Sequence, residues 1–211
     1  AQLDKTMMKY LFTLWLGILP LVAYSQAQSD VDALLAALAP VKQLQGSFRQ
    51  QQYGQDKLLL AESSGKFRLL RPGYFAWEIL NPDEQLIIAG PEFIWHYDRD
   101  LETVTRRPVT TDADMTPLQI LGGDESALRE KFQVERVAEG AFQLTPLTPG
   151  VGFKQLTLNL EGAQLTGMEI QDNLDQTVVI TFTDLDSETE LGSVDFAFTP
   201  PPGADLFYYD E

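Results

Sequence analysis

The sequence predicts a mainly β protein of one domain, with about a dozen short strands and helices at its start and middle. Three observations predict it. Large apolar side chains alternate with polar ones at a period of two, as in Phe67 and Leu69, then Phe75, Trp77 and Ile79, then Phe93, Trp95 and Tyr97. Turn signals separate these runs at Asn81-Pro82-Asp83, Gly90-Pro91 and Asp98–Asp100. A chain of 211 residues, 44% of them hydrophobic, is long enough for one all-β core and has no linker or internal repeat to divide it.

The first element is an address. Lys5 and Lys9 precede an apolar run from Tyr10 to Ala23, and the small and polar residues AYSQAQS follow it. That order of charged, apolar and small residues is a secretory signal peptide, with cleavage expected after Ser25 or Ala27. The run is short for a membrane span, and Pro20 interrupts it. Residues 1–27 are therefore expected to be removed, leaving 28–211 as the working domain. A secreted domain with no cysteine has neither a disulfide framework nor a lipid-attachment site, so packing alone must hold it.

Ser29 or Asp30 can cap a helix that carries Val31, Leu34, Leu35 and Leu38 at helical spacing, and Pro40 ends or kinks it. Strands are then expected at Gly46–Tyr53, Lys57–Leu70 with a break near Ser63, Tyr74–Leu80, Glu84–Ala89, Phe93–Asp98 and Leu101–Arg107. The interlude Thr110–Phe132 holds two short helical pieces. One is Thr116–Leu121, with Pro117 in its first turn and Gly122 at its end; the other is Asp124–Lys131. Strands resume at Phe132–Ala138, Ala141–Leu147, Phe153–Leu160, Gln164–Asp172 and Thr177–Asp184, and Val194–Phe198 closes the series.

Charge and chemistry exclude several functions. The formal net charge is −16, which opposes binding to nucleic acid or to anionic membrane surfaces. One histidine and no cysteine leave no Cys–His pair and no two-histidine metal site. By alternation that histidine, His96, faces away from Trp95 and Tyr97, at the surface or a rim. No serine stands in a G-x-S-x-G context. The acidic run from Asp184 to Glu190 lacks the glycine turn of an EF-hand loop and reads as a solvated loop. Neither an enzyme nor a cofactor or metal protein is expected. The apolar wall from Ser63 to Tyr97 is then either core filling or the lining of a cavity for an apolar ligand.

Five segments carry a resemblance that decides between the two. They are GSFRQQQ (Gly46–Gln52), SSGKFRLLRPGYFAWEI (Ser63–Ile79), NPDEQLIIAGPEFIWHYDRDLETV (Asn81–Val104), TPLQIL (Thr116–Leu121) and FAFTPPPGADLF (Phe196–Phe207). In this order, with R-P-x-x-F-x-W followed by P-x-E-Q and W-x-Y-D, the chain resembles the outer-membrane lipoprotein carrier (LolA) family over nearly its whole mature length. The resemblance implies an incomplete antiparallel β-barrel of eleven or twelve strands, with short α-helices forming a lid over an apolar cavity. It implies a monomeric periplasmic chaperone that shields lipoprotein acyl chains. An inner-membrane ABC-type lipoprotein release complex would load it, and an outer-membrane lipoprotein receptor would unload it. A receptor of the same fold and a periplasmic lipid or lipoprotein sensor are the rival functions. The missing attachment cysteine counts against the first, and the lack of room for a second domain against the other.

Residue roles follow from the resemblance. Arg71 matches the family's lid lock, and Phe75 its cavity-mouth phenylalanine. Leu69, Trp77, Ile79, Ile87, Phe93 and Trp95 are expected to line the cavity with it, Trp77 more as scaffold than contact. Leu118, Ile120 and Leu121 are the lid residues, and Gln119 interrupts an otherwise apolar run. Alternation alone leaves open which side of the sheet faces inward, because a one-residue shift reverses every side chain. An ionised guanidinium beside an apolar cavity needs oxygen partners, and the last carbonyls of the short lid helix would suit it.

Overall fold

A computed structural model of the chain describes residues 21–109, 120–121, 125–148, 152–162 and 164–209. Residues 1–20 of the predicted leader and the lid residues Thr116 to Gln119, Leu118 among them, lie outside the described residues.

Twelve strands are described: β1 (Gln43–Tyr53), β2 (Leu59–Leu70), β3 (Tyr74–Asn81), β4 (Gln85–Ala89), β5 (Phe93–Asp98), β6 (Thr103–Pro108), β7 (Phe132–Ala138), β8 (Ala141–Pro146), β9 (Gln155–Glu161), β10 (Gln164–Gln171), β11 (Thr177–Asp186) and β12 (Asp205–Tyr208). They form one sheet in the order β12-β6-β5-β4-β3-β2-β1-β11-β10-β9-β8-β7. Every neighbouring pair is antiparallel except β12, which runs parallel to β6. Strands β12 and β7 are the two edges, so the sheet curls without closing. This is the mainly β, incomplete barrel expected from the sequence.

Local chemistry explains the turns. In the β10–β11 hairpin Asp172 folds back on its own loop, its Oδ1 accepting from the backbone N–H groups of Leu174 and Gln176 at 2.8 Å each. Gly65 faces the next strand so closely that a Cβ there would lie 1.8 Å from the Glu78 carbonyl oxygen, beside the register shift between β2 and β3. β2 is continuous through Ser63, where a break was expected.

Two helices cover the inner face. Helix α1 (Leu21–Leu38) turns Val31, Leu34, Leu35 and Leu38 inward, the i, i+3, i+4, i+7 stripe read from the sequence. It stops at Leu38, two residues before Pro40. Ser29 and Asp30 do not cap it, because α1 starts at Leu21 and places both inside it. Asp30 is buried instead, and its Oδ2 accepts from the backbone N–H of Arg136 at 3.2 Å. Helix α2 (Glu125–Lys131) leads directly into β7, and its Arg129 reaches Asp32 of α1 at 2.6 Å.

The end of the chain departs from expectation. Val194–Phe198 is not a strand, since Ser193–Phe196 forms a 3₁₀ turn. Phe196 buries itself against Ala76 and Ile88 on the outer side of the sheet. The chain then continues to β12, which the Pro-rich stretch before it hid from a period-two search.

Candidate functional site

Register identifies the inner face. Phe48 on β1, Phe67 and Leu69 on β2, and Phe75 and Trp77 on β3 all belong to the one large core that α1 enters. Trp77 is its centre. The indole stacks on Phe48 with ring centroids 3.5 Å apart and on Phe75 at 5.8 Å, and meets Phe182 of β11 edge-on at 6.3 Å. Ile79 and Ile87 pack against the same core from its partly open end. Five of the expected lining residues, Leu69, Phe75, Trp77, Ile79 and Ile87, therefore share the inner face.

Phe93 and Trp95 do not. Strand β4 pairs with β5 so that Ala89 lies opposite Ile94 and Ile87 opposite His96. The inner positions of β4 are odd, so those of β5 are even, and Phe93 and Trp95 point outward. The parity changes because four residues separate the paired Ala89 and Ile94. The outer side supplies its own apolar cover. Trp95 packs on Phe198 and Tyr208, with centroids at 5.4 and 6.5 Å, and the Arg106 guanidinium lies 4.4 Å from the Phe93 ring centre.

Ile120 and Leu121 are helical and almost fully buried, and they join the same core as Leu34, Leu38 and the strand side chains. The inner face is thus filled by the protein's own apolar groups. Side chains of α1 and Ile120 and Leu121 lie in one core with Trp77 and Phe75. One depression is a polar recess at the far end of the inner face, and another lies on the outer face beside Lys66 and Asp186.

Arg71 stands at the end of β2, where the barrel meets α1. Its Nη1 donates to the carbonyl oxygen of Leu38 at 3.1 Å, and its backbone N–H donates to the Lys42 carbonyl at 2.8 Å. Burial presses its pKa below the ordinary arginine value, against the opposing attraction of Glu125. A guanidinium bonded to a helix-terminal carbonyl is the kind of arrangement expected from the sequence, and among the described residues that carbonyl is Leu38 of α1. The stop before Pro40 was the available signal for it.

His96 faces inward near the open end, with Nε2 3.1 Å from Gln85 Oε1. Burial lowers its pKa first, Arg107 adds to this, and Asp98 opposes both. The unfolded chain, with a pKa near 6.5, therefore takes up the proton before the folded one does. Stability owed to neutral His96 is complete above that value and is lost as pH falls through it. Thermal unfolding from about pH 7.5 to about pH 5 should show a larger fall in Tm for the natural protein than for His96→Gln. Equal slopes would mean that the ring titrates alike in both states.

The acidic loop after β11 is organised by Asp186. Its Oδ2 accepts from the Thr189 hydroxyl at 2.6 Å and from Gln45 Nε2, while Oδ1 accepts from the Thr189 and Glu188 backbone N–H groups. These bonds, the Thr189 hydroxyl foremost, hold its carboxyl well below the usual range. The loop spends this carboxylate on its own backbone.

With the geometry described, the chain can be set beside known proteins. The model of the family described as "Outer membrane lipoprotein carrier protein LolA" matches residues 39–199. An outer-membrane lipoprotein carrier protein of Chromohalobacter salexigens is 34% identical over 191 residues, covering 89% of this chain and 90% of the relative. One from Methylococcus capsulatus is 35% identical over 201 residues, covering 92% and 96%. Among solved structures, a LolA superfamily protein from Nitrosomonas europaea superposes with a TM-score of 0.50 at 11% identity, covering 82% of this chain and 98% of that one. At that identity the likeness speaks for the fold alone.

Proposed function

Because the chain belongs to the family of outer-membrane lipoprotein carrier proteins, we propose that it is a periplasmic chaperone that shields the acyl chains of lipoproteins and carries them to the outer membrane. The observation that supports this is the inner face itself. It is an open sheet whose buried aromatic and aliphatic wall is covered by helical segments.

The energetics suit a carrier that must let go. Each buried methylene is worth about 0.8 kcal/mol, so full burial of a lipoprotein's chains in an empty cavity would approach the ceiling of non-covalent affinity. In this fold the guest displaces Ile120, Leu121 and the α1 side chains, which already bury the same wall. Net affinity is the difference between two similar burials, small enough to be reversible. Phe75, Leu69, Trp77, Ile79 and Ile87 would meet the chains, with Leu118, Ile120 and Leu121 as the lid. Arg71 would hold the closed state through Leu38.

Residues 1–27 serve in this reading as the cleaved export signal, and 28–211 work as a monomer. Loading comes from an inner-membrane ABC-type release complex and unloading goes to an outer-membrane receptor. Neither step calls for chemistry by this chain.

Spheroplasts bearing labelled lipoprotein, incubated with the purified protein, test the proposal. The expected result is a soluble one-to-one complex that surrenders its cargo to outer membranes. A folded protein that binds an apolar fluorescent probe yet solubilises no lipoprotein would refute the carrier and favour a sensor of the same fold.

A further inference from the structure

Along the inner face the lining changes character. Toward the start of β1 and the end of β2 it is apolar and dry. Toward the opposite end, past Phe48 and Ile79, it becomes Gln50 on β1, Ser63 on β2, Gln85 on β4 and His96 on β5. The pairings step the change across the sheet: Gln50 lies opposite Ser63, Gln85 opposite Ile79 one inward-facing position further along, and His96 opposite Ile87 one further again. There a recess of about 180 Å³ opens, lined by Gln50, Gln52, Ser63, Ile79 and Gln85.

Part of its hydrogen-bonding capacity is unused. The Ser63 hydroxyl is enclosed and has no hydrogen-bond partner among the described residues. A buried hydroxyl in that condition is costly unless something bonds it. The Gln85 carbonyl oxygen faces His96, which leaves its amide nitrogen to donate into the recess. Gln52 is tied to Gln176 at 2.6 Å, and Gln50 lies between these groups. The lining residues that carry charge are both acids, Asp83 and Glu62, the second paired with Arg49 at 2.7 Å. Such a site offers neutral donors and repels anions.

We propose that this recess binds the uncharged ester and amide carbonyls at the root of the acyl chains, so that the carrier selects acylated peptide over anionic phospholipid or free fatty acid. The inference rests on the carrier reading and adds a polar anchor to it. Ile79 borders both the recess and the apolar core. The six strand steps from Ser63 to Leu69 span about 20 Å, comparable with an extended fatty acyl chain. A chain laid along this wall ends its hydrocarbon near Leu69 and Phe75 and leaves its carbonyl at Ser63 and Gln50.

The test uses the purified protein and three probes: a triacylated lipopeptide, an n-alkyl fluorescent probe without carbonyls, and a long-chain fatty acid anion. Gln50→Leu combined with Ser63→Ala should weaken lipopeptide binding about tenfold, the loss of two neutral hydrogen bonds, while the alkyl probe binds as well or better. Ser63→Ala alone should raise the Tm of the unloaded protein and still weaken the lipopeptide, opposite movements that damage to the fold would not produce. The fatty acid anion should compete poorly with the natural protein. Equal losses for lipopeptide and alkyl probe, or an unchanged lipopeptide affinity in the double variant, would overturn the anchor and leave the carrier intact. A natural protein that binds the alkyl probe but no lipopeptide would overturn both.

Discussion

Replacing Arg71 with leucine should leave the loading of lipoprotein intact and slow its delivery to outer membranes by about ten- to a hundredfold. The guanidinium bonds the Leu38 carbonyl only while α1 covers the inner face. A hydrogen bond from a charged donor is worth about 1.5–3 kcal/mol net, and here all of it favours the covered, empty state. Removing it raises that state and leaves the cargo-bound state where it was. Cargo is then held more tightly by the same factor, since a ligand shifts an equilibrium only by its preference for one state. Arg71→Lys keeps the charge but not the planar fork of donors, so it should fall between leucine and the natural residue. The measurement is the fraction of labelled lipoprotein passed to outer membranes with time. Delivery by Arg71→Leu at the natural rate would show that the bond to α1 does not govern release.

Trp77→Ala should be the most destabilising single change in the wall, costing about 3–5 kcal/mol. The indole is 2% exposed and touches rings from β1, β3 and β11, so no neighbour can close over the space it leaves. For a domain of this size the loss should appear as a fall in Tm of roughly 10 °C or more. Trp77→Phe keeps the stack on Phe48 and should lose less than half as much. If Trp77 were mainly a cargo contact, alanine would leave Tm nearly unchanged and weaken binding alone. A large fall in Tm together with near-normal binding by the surviving folded fraction identifies it as scaffold.

Much of this wall was legible in the chain. Strands β5 and β7 lie where alternation placed them, to the residue, because Gly90-Pro91 and Glu139-Gly140 bound them with turn chemistry that needs no distant partner. The helical stripe of α1 and its stop before Pro40 are equally local facts. What failed, failed at connections. Phe93 and Trp95 have the same spacing as Phe75 and Trp77, yet spacing within a strand says nothing about parity across a hairpin. Strand β12 escaped because it is four residues long and pairs in parallel with β6, a contact between segments about a hundred residues apart. The polar recess escaped for a related reason. Gln50, Ser63, Gln85 and His96 look like ordinary outward-facing polar residues until pairing puts them on the inner face.

The sequence by itself determined where most of the strands and turns lie and which family's motifs the chain carries. Those properties depend on residue types and short-range spacing, which are written along the chain. Only the tertiary structure decided which face of that sheet is the inside and which helix end receives Arg71. It alone showed that the protein's own side chains fill the inner face. Alternation is symmetric about the plane of a sheet, and the symmetry is broken only when distant strands curl together and a helix chooses one side to cover.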